Sequence, residues 1–358
     1  MKKRIVFVLN NLQYADGVAK VLVELCNFLD EKLFDITIIP IYRCDPNFIK
    51  LLKPHIHIQK ALGFYFRGLD KIVNVLPIHF LYQKIVGGSY DIEVAFQYGL
   101  ATRMIANSTN RNAKHYAWMH GYDEGLTLGK EYPKFDKVFC VSKFNEERLR
   151  KESSGTVNVD YCYNIIDESK ILEASKDEIS EDTLKKPIFV AVGRQTPEKG
   201  FLRLVDVVNR LKIDGYQFTL WLIGDGVEHQ QLVDKVNRQS LEDTIKLLGI
   251  QSNPHKFTSK ADVFICSSFS EGYSTACVEA ILLGVPVIST AVSGAHEIID
   301  DSKCGIVCEL DDDSLYTTLK NVLDHPKVIS EWRNTLSVTK NKFGSKLRGE
   351  RVNKIFMK

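Results

Sequence analysis

Three patterns are missing from these 358 residues: a Cys-x-x-Cys pair, an apolar run of 18 residues, and Gly-x-Gly-x-x-Gly after the first apolar segment. The first absence argues against a dithiol or zinc motif, and the close pair Cys304 and Cys308 has no His or Cys partner at zinc-site spacing. Eight cysteines (26, 44, 140, 162, 266, 277, 304 and 308) are scattered, mostly inside apolar segments, as reduced and buried thiols of a cytosolic protein would be. The second absence leaves no candidate for a bilayer-spanning helix. The third removes the fingerprint that a nicotinamide-dependent oxidoreductase needs. An excess of one charge is missing too: 47 Lys and Arg stand against 45 Asp and Glu, a net +2 with no global pull toward nucleic acid. The opening "MKKRIVFVLNN" has the charge of a secretory leader. Its apolar run ends after about six residues, however, so it reads as a buried strand.

What the chain does have is alternation. Short β-branched runs at 4–9, 36–41, 91–96, 115–119 and 137–142 are separated by longer helical stretches. After a charged, aromatic-poor connector beginning near residue 164, a second series follows at 187–194, 218–226, 245–250, 261–268, 285–290 and 304–310. This is the βαβ signature of parallel sheets covered on both faces. A chain this long exceeds a single core, so two Rossmann-like doubly wound domains are expected, over 1–168 and 169–340. The basic helical tail, 341–358, is expected to cross back to the first domain. Open parallel sheets bind ligands beyond the carboxyl ends of their strands, so the expected site is a cleft where the two sheets face each other.

The residues following each strand are therefore the ones to weigh. After "PIFVAVG" come Arg194 and Lys199, with Gly193 letting the chain turn close to a ligand. Two cations at a strand-to-helix turn suit a diphosphate, and the alternative is a pair of solvated surface charges. In "SSFSEGYSTACVEAILLGVPV" Glu271 sits in the loop and Glu279 about one turn into the following helix. Ser274 or Thr275 would cap that helix, and Gly284 with Pro286 would end it. Its N-terminus offers free N–H groups to an anion. A carboxylate at each place can accept two hydroxyl hydrogen bonds, as a sugar and a ribose would supply. The alternatives are an exposed helix residue for Glu279 and a loop charge answering the helix dipole for Glu271.

Five stretches occurring in order, "VAVGRQTPEKGF", "LWLIGDGVEHQQL", "ADVFICSSFSEGYSTACVEAILLGVPVIST", "SGAHEII" and "CGIVCELDDDSLYTTL", resemble the glycosyltransferases of family 4, the glycosyl transferases group 1. These are retaining enzymes of the α/β GT-B fold. The resemblance implies a hexose or related sugar moved from a nucleotide-diphosphate sugar, UDP favoured, to an acceptor hydroxyl on a glycan or glycolipid. Arg194 and Lys199 would hold the diphosphate and Glu279 the ribose. Glu271 and Gly272–Tyr273–Ser274–Thr275 would hold the donor sugar and phosphate, and Gly249, Ile250 and Gln251 would receive the base. In the first domain, "LNNLQYADGVAKVLVEL" would bring Gly17 to the phosphates, although Asp16–Gly17–Val18–Ala19 departs from the family's usual two glycines and glutamate. "AWMHGYDE" would place His120 near the donor sugar. No cofactor or metal is implied, because the cations take the metal's place, and Asp311–Asp313 opens a helix instead of following a strand directly. The other activity open to this fold is a nucleotide-sugar epimerase or hydrolase that works without an acceptor.

Residues 46–90 carry six Lys and Arg (50, 53, 60, 67, 71 and 84) against the single acid Asp70, with aromatics interleaved. Two readings stand: a surface that docks on an anionic membrane, the inner face of the plasma membrane, or receives a lipid-diphosphate acceptor; and a helix pair with its apolar face on the sheet.

Overall fold

A computed structural model describes residues 2–13, 17–66, 68–121, 128–179 and 185–357. Asp16, Arg67, Tyr122–Glu124 and part of the connector lie outside the described residues. The chain forms two compact units, 1–165 with 348–358, and 166–347. It passes between them at 165/166 and 347/348, not at 168/169 and 340/341.

The first unit carries strands β1 (Lys3–Leu12), β2 (Phe34–Cys44), β3 (Ile56–Ile58), β4 (Ile92–Ala95), β5 (Lys114–Met119), β6 (Lys137–Cys140) and β7 (Val159–Tyr161). They pair in the order β3-β2-β1-β4-β5-β6-β7, every pair parallel. Ile5 through Leu9 are all fully buried, because helices cover both faces of the sheet and a continuous apolar run is then required. The end of the last helix, Ser345–Met357, belongs to this unit, and Phe356 sits among the rings of Phe7, Phe34, Tyr116 and Trp118.

The second unit carries β8 (Ile188–Val192), β9 (Thr219–Ile223), β10 (Ile245–Gly249), β11 (Val263–Cys266), β12 (Val287–Thr290) and β13 (Gly305–Cys308), again all parallel. Their order, β10-β9-β8-β11-β12-β13, reverses direction between β8 and β11. Such a switch point opens a crevice at the carboxyl ends of the two strands, and the loops that follow β8 and β11 begin there.

The alternating pattern locates all six strands of the second sheet and five of the seven in the first. β3 and β7 are additional. Each is only three residues long and includes a polar residue, His57 or Asp160, too little for periodicity to register. All eight cysteines are free thiols. Burial pushes those of Cys140 and Cys162 up to about 12, which keeps them protonated and unreactive.

Candidate active site

The turn after β8 is held by its own main chain. Gly193 N–H donates to Ile223 O at 3.0 Å, and Gln195 N–H to Asp225 O at 2.9 Å, so this turn runs beside the one that follows β9. Gln195 is fully buried; its amide donates to Gly224 O at 2.8 Å, and its Oε1 lies 2.7 Å from His229 Nδ1. Arg194, just before it, is exposed and forms a loose ion pair with Glu198 at 3.6 Å. Lys199 follows in a short 3-10 turn, Pro197–Lys199, that leads into the helix Phe201–Ile213.

The loop after β11 is stitched to this turn. Phe269 N–H donates to Glu198 O at 2.8 Å, and the Ser267 hydroxyl to Lys199 O at 3.0 Å. Side chains complete the join: Lys199 Nζ donates to Glu271 Oε1 at 2.6 Å, and Ser268 Oγ donates to the same oxygen at 2.7 Å. Partial burial opposes the Lys199 charge, but the Glu271 carboxylate outweighs it and the ammonium is held above its ordinary range. Lys199 and Glu271 are thus brought into direct contact, with Arg194 at the rim of the same two loops.

Beyond Glu271, Gly272 O accepts from the Ser293 hydroxyl at 3.1 Å, and Tyr273 is buried. Ser274, not Thr275, is the cap of the helix Thr275–Leu282, its Oγ accepting from Cys277 N–H at 3.4 Å. Gly284 takes a left-handed backbone conformation just past the helix end, as its position before Pro286 suggests. Glu279 is buried, not exposed, with its Oε2 3.7 Å from His255 Nδ1. Gly249 ends β10, Ile250 is exposed, and Gln251 turns back to donate to Leu248 O at 2.6 Å.

Two expected residues lie on the first unit. Gly17 opens the helix Gly17–Phe28, with open space where a side chain would project. His120 follows β5, half-buried, with Nε2 3.1 Å from Phe96 O and its ring edge-on to Phe96. Facing a carbonyl oxygen, Nε2 must be the protonated nitrogen. Burial pushes the imidazole down to about 4, so it is neutral at pH 7.

Residues 174–336, almost the whole second unit, match the family described as glycosyl transferases group 1. The N-acetylgalactosamine-N,N'-diacetylbacillosaminyl-diphospho-undecaprenol 4-alpha-N-acetylgalactosaminyltransferase of Campylobacter jejuni is 27% identical over 299 residues, 81% of this chain and 80% of that one. The second unit is a glycosyl transferases group 1 domain. Among solved structures, sucrose-phosphate synthase from Thermosynechococcus elongatus superposes with a TM-score of 0.77 at 17% identity, covering 99% of this chain and 98% of that one. Anabaena HepE in complex with UDP-glucose gives 0.74 at 16%, with 99% of both chains covered. At such identities the likeness concerns the fold, which is the expected GT-B type.

Sequence patterns alone do not single out several side chains that shape this glycosyltransferase's loops. Ser268 supports Glu271, and Thr290 donates to Ser268 O at 2.6 Å. Arg203 is buried, bonded to Leu310 O at 2.7 Å, and carries the Phe269 ring 4.4 Å from its guanidinium. The available signal is position: Ser268 stands three residues before the loop glutamate, and Arg203 one turn from Lys199.

His120 gives this glycosyltransferase a testable acid response. Its folded pKa, about 4, lies below the ordinary 6.5, so a falling pH protonates the unfolded chain first. The stability gained by keeping the ring neutral is full above about pH 6.5 and is lost as pH drops toward 4. Thermal denaturation between pH 4 and 8 should therefore show a shallower acid limb for His120→Asn than for the parent. Parallel limbs would mean that His120 does not titrate with unfolding.

Proposed function

We propose that this glycosyltransferase moves a hexose or related sugar, with retention at the anomeric carbon, from a nucleotide-diphosphate sugar to a hydroxyl of a lipid-linked or surface-polysaccharide precursor. The observation that carries the reading is the joining of the β8 and β11 loops at the switch point through Lys199, Glu271 and Ser268. A diphosphate there meets the Lys199 ammonium, the Arg194 guanidinium and the N-terminus of the helix Thr275–Leu282. Glu271 and the Gly272–Thr275 loop hold the donor sugar and its phosphate. Glu279, with His255 beside it, takes the ribose, and Gly249–Gln251 the base.

In this reading the acceptor oxygen bonds the anomeric carbon from the face that the diphosphate leaves. The bond from that carbon to the diphosphate oxygen breaks, and the departing oxygen takes the acceptor's proton. No side chain forms a covalent intermediate. The protein contributes positioning and positive charge where the leaving group becomes anionic. The two cations and the helix N-terminus supply that charge, so the reading requires no divalent metal. The acceptor class is supported by the relatives, which include the Campylobacter undecaprenol-linked transferase and a lipopolysaccharide core glycosyltransferase of Rhizobium meliloti. Work on such an acceptor would place the enzyme peripherally on a membrane face. UDP is favoured because HepE is described with UDP-glucose.

A thermal-shift panel of UDP-, GDP- and dTDP-sugars in EDTA tests the donor. UDP-sugars are expected to raise the melting temperature with a concentration dependence set by mass action, the others less. A response to none of them would overturn the reading. Release of free nucleotide at the same rate with and without acceptor would point to a hydrolase.

A further inference from the structure

The helices Leu69–Val75 and Ile78–Ile85, with the segment before them, have apolar residues on two faces. Their inner face is spent on the fold: Leu69, Val73, Leu81, Tyr82 and Ile85 belong to the core of the first unit. The outer face carries Phe64, Phe66, Ile72, Val75 and Phe80, each at least half exposed and Val75 at 81%. Among the described residues, no other stretch of comparable length exposes so many large apolar side chains. The rings of Phe64 and Phe66 are stacked, with centroids 6.4 Å apart, so they stand out together.

Cations frame the aromatics. Lys84 lies over the Phe80 ring and Arg43 over Tyr65, and Lys60 is exposed just before the aromatic segment. Between Asp45 and Asp91 the sequence has one acid, Asp70. Aromatic and aliphatic tips flanked by long cationic side chains suit an anionic bilayer. The apolar tips enter the acyl boundary, and the ammonium and guanidinium groups stay at headgroup depth. Position agrees with this. Gln59, Ala61 and Leu62 donate backbone hydrogen bonds to the end of β2, and Tyr65 rests on Tyr42, so the segment starts at the carboxyl rim of its sheet. The same rim carries Gly17 and His120. No helix among the described residues is long and apolar enough to cross a membrane, so contact through this face is interfacial.

We infer that Phe64, Phe66, Ile72, Val75 and Phe80, with Lys60, Lys84 and Arg43, dock the enzyme on an anionic lipid bilayer. The use of such docking, to reach a lipid-linked acceptor, rests on the proposed function. The docking itself does not.

Co-sedimentation with vesicles tests it. Phosphatidylglycerol-containing vesicles are expected to bind the protein at low salt, pure phosphatidylcholine vesicles far less. The triple variant Phe64→Ser, Phe66→Ser, Val75→Ser should bind at least about tenfold more weakly, from the lost apolar burial. Its melting temperature and its response to nucleotide sugar should stay those of the parent, separating lost docking from unfolding. No binding to the anionic vesicles, or equal binding by the variant, would overturn the inference. So would a dimer that light scattering detects and the triple variant disperses, because the face would then serve a second copy of the chain. Failure of the glycosyltransferase reading would appear separately, as no response to any donor while vesicle binding persists.

Discussion

Lys199→Ala and Arg194→Ala are each expected to lower sugar transfer by at least two orders of magnitude. Under the proposed function, each loses a fixed charge aimed at the diphosphate as it becomes a leaving group, an effect of about 10²–10³ in turnover where one such donor is removed. The two substitutions differ in what else they disturb. Lys199 is largely covered and bonded to Glu271, so its removal leaves a half-buried carboxylate that keeps the Ser268 hydroxyl but loses its ammonium partner. Some stability should be lost along with activity. Arg194 is exposed and pairs only loosely with Glu198, so truncating it should leave the stability within about 0.5 kcal/mol of the parent. Arg194→Ala is thus the cleaner test. If the guanidinium acts mainly in the transition state, kcat and kcat/KM should fall together; a rise in KM alone would assign it to ground-state binding of the donor. Near-normal turnover in both variants would remove these residues from the mechanism.

The contrast between these two side chains also marks how far sequence reading reaches. The βαβ alternation, the site-bearing turns after β8 and β11, and the helix from Ser274 to Gly284 follow from period, capping chemistry and glycine placement, because those signals are local. That Lys199 and Glu271, 72 residues apart, share one hydrogen bond is a product of strand order. Placing β8 beside β11 requires a crossover that no local pattern records. The same holds for Glu279, whose burial comes from its neighbours and not from its own helix face, and for Ser268 and Gln195, polar residues fixed by main chain from other elements. β3 and β7 escape for the opposite reason: they are too short to have a period. The apolar residues at 64–80 leave two readings open in the sequence, a membrane surface and ordinary helix core, until the inner face is seen to be filled by other residues.

Gly224→Ala is expected to damage the second unit more than any other single methyl group added near the site. Gly224 has φ of +132°, a conformation that side-chain-bearing residues rarely adopt, and an added Cβ would lie 1.9 Å from Gly193 O. Strain of about 1–3 kcal/mol from the backbone and a similar amount from the overlap should combine. For a unit of this size that corresponds to a drop of roughly 5–15 °C in melting temperature. Gly215 supplies the control: its φ is +90°, but a Cβ there meets nothing within 4 Å, so Gly215→Ala should show the strain without the overlap. The overlap carries a functional consequence as well. The atom it strikes belongs to the residue before Arg194, in a turn that Gly193 and Gln195 tie to the β9 exit. Relief of the clash must move that turn, and a displacement of about 1 Å can cost on the order of 10²-fold in rate when it misplaces a group aimed at the reacting atoms. Gly224→Ala protein that remains folded at the assay temperature should therefore transfer sugar poorly, whereas Gly215→Ala should transfer it normally. Equal melting temperatures for the two variants, or full activity in Gly224→Ala, would show that the β8 and β9 turns are not pressed together as the backbone geometry requires.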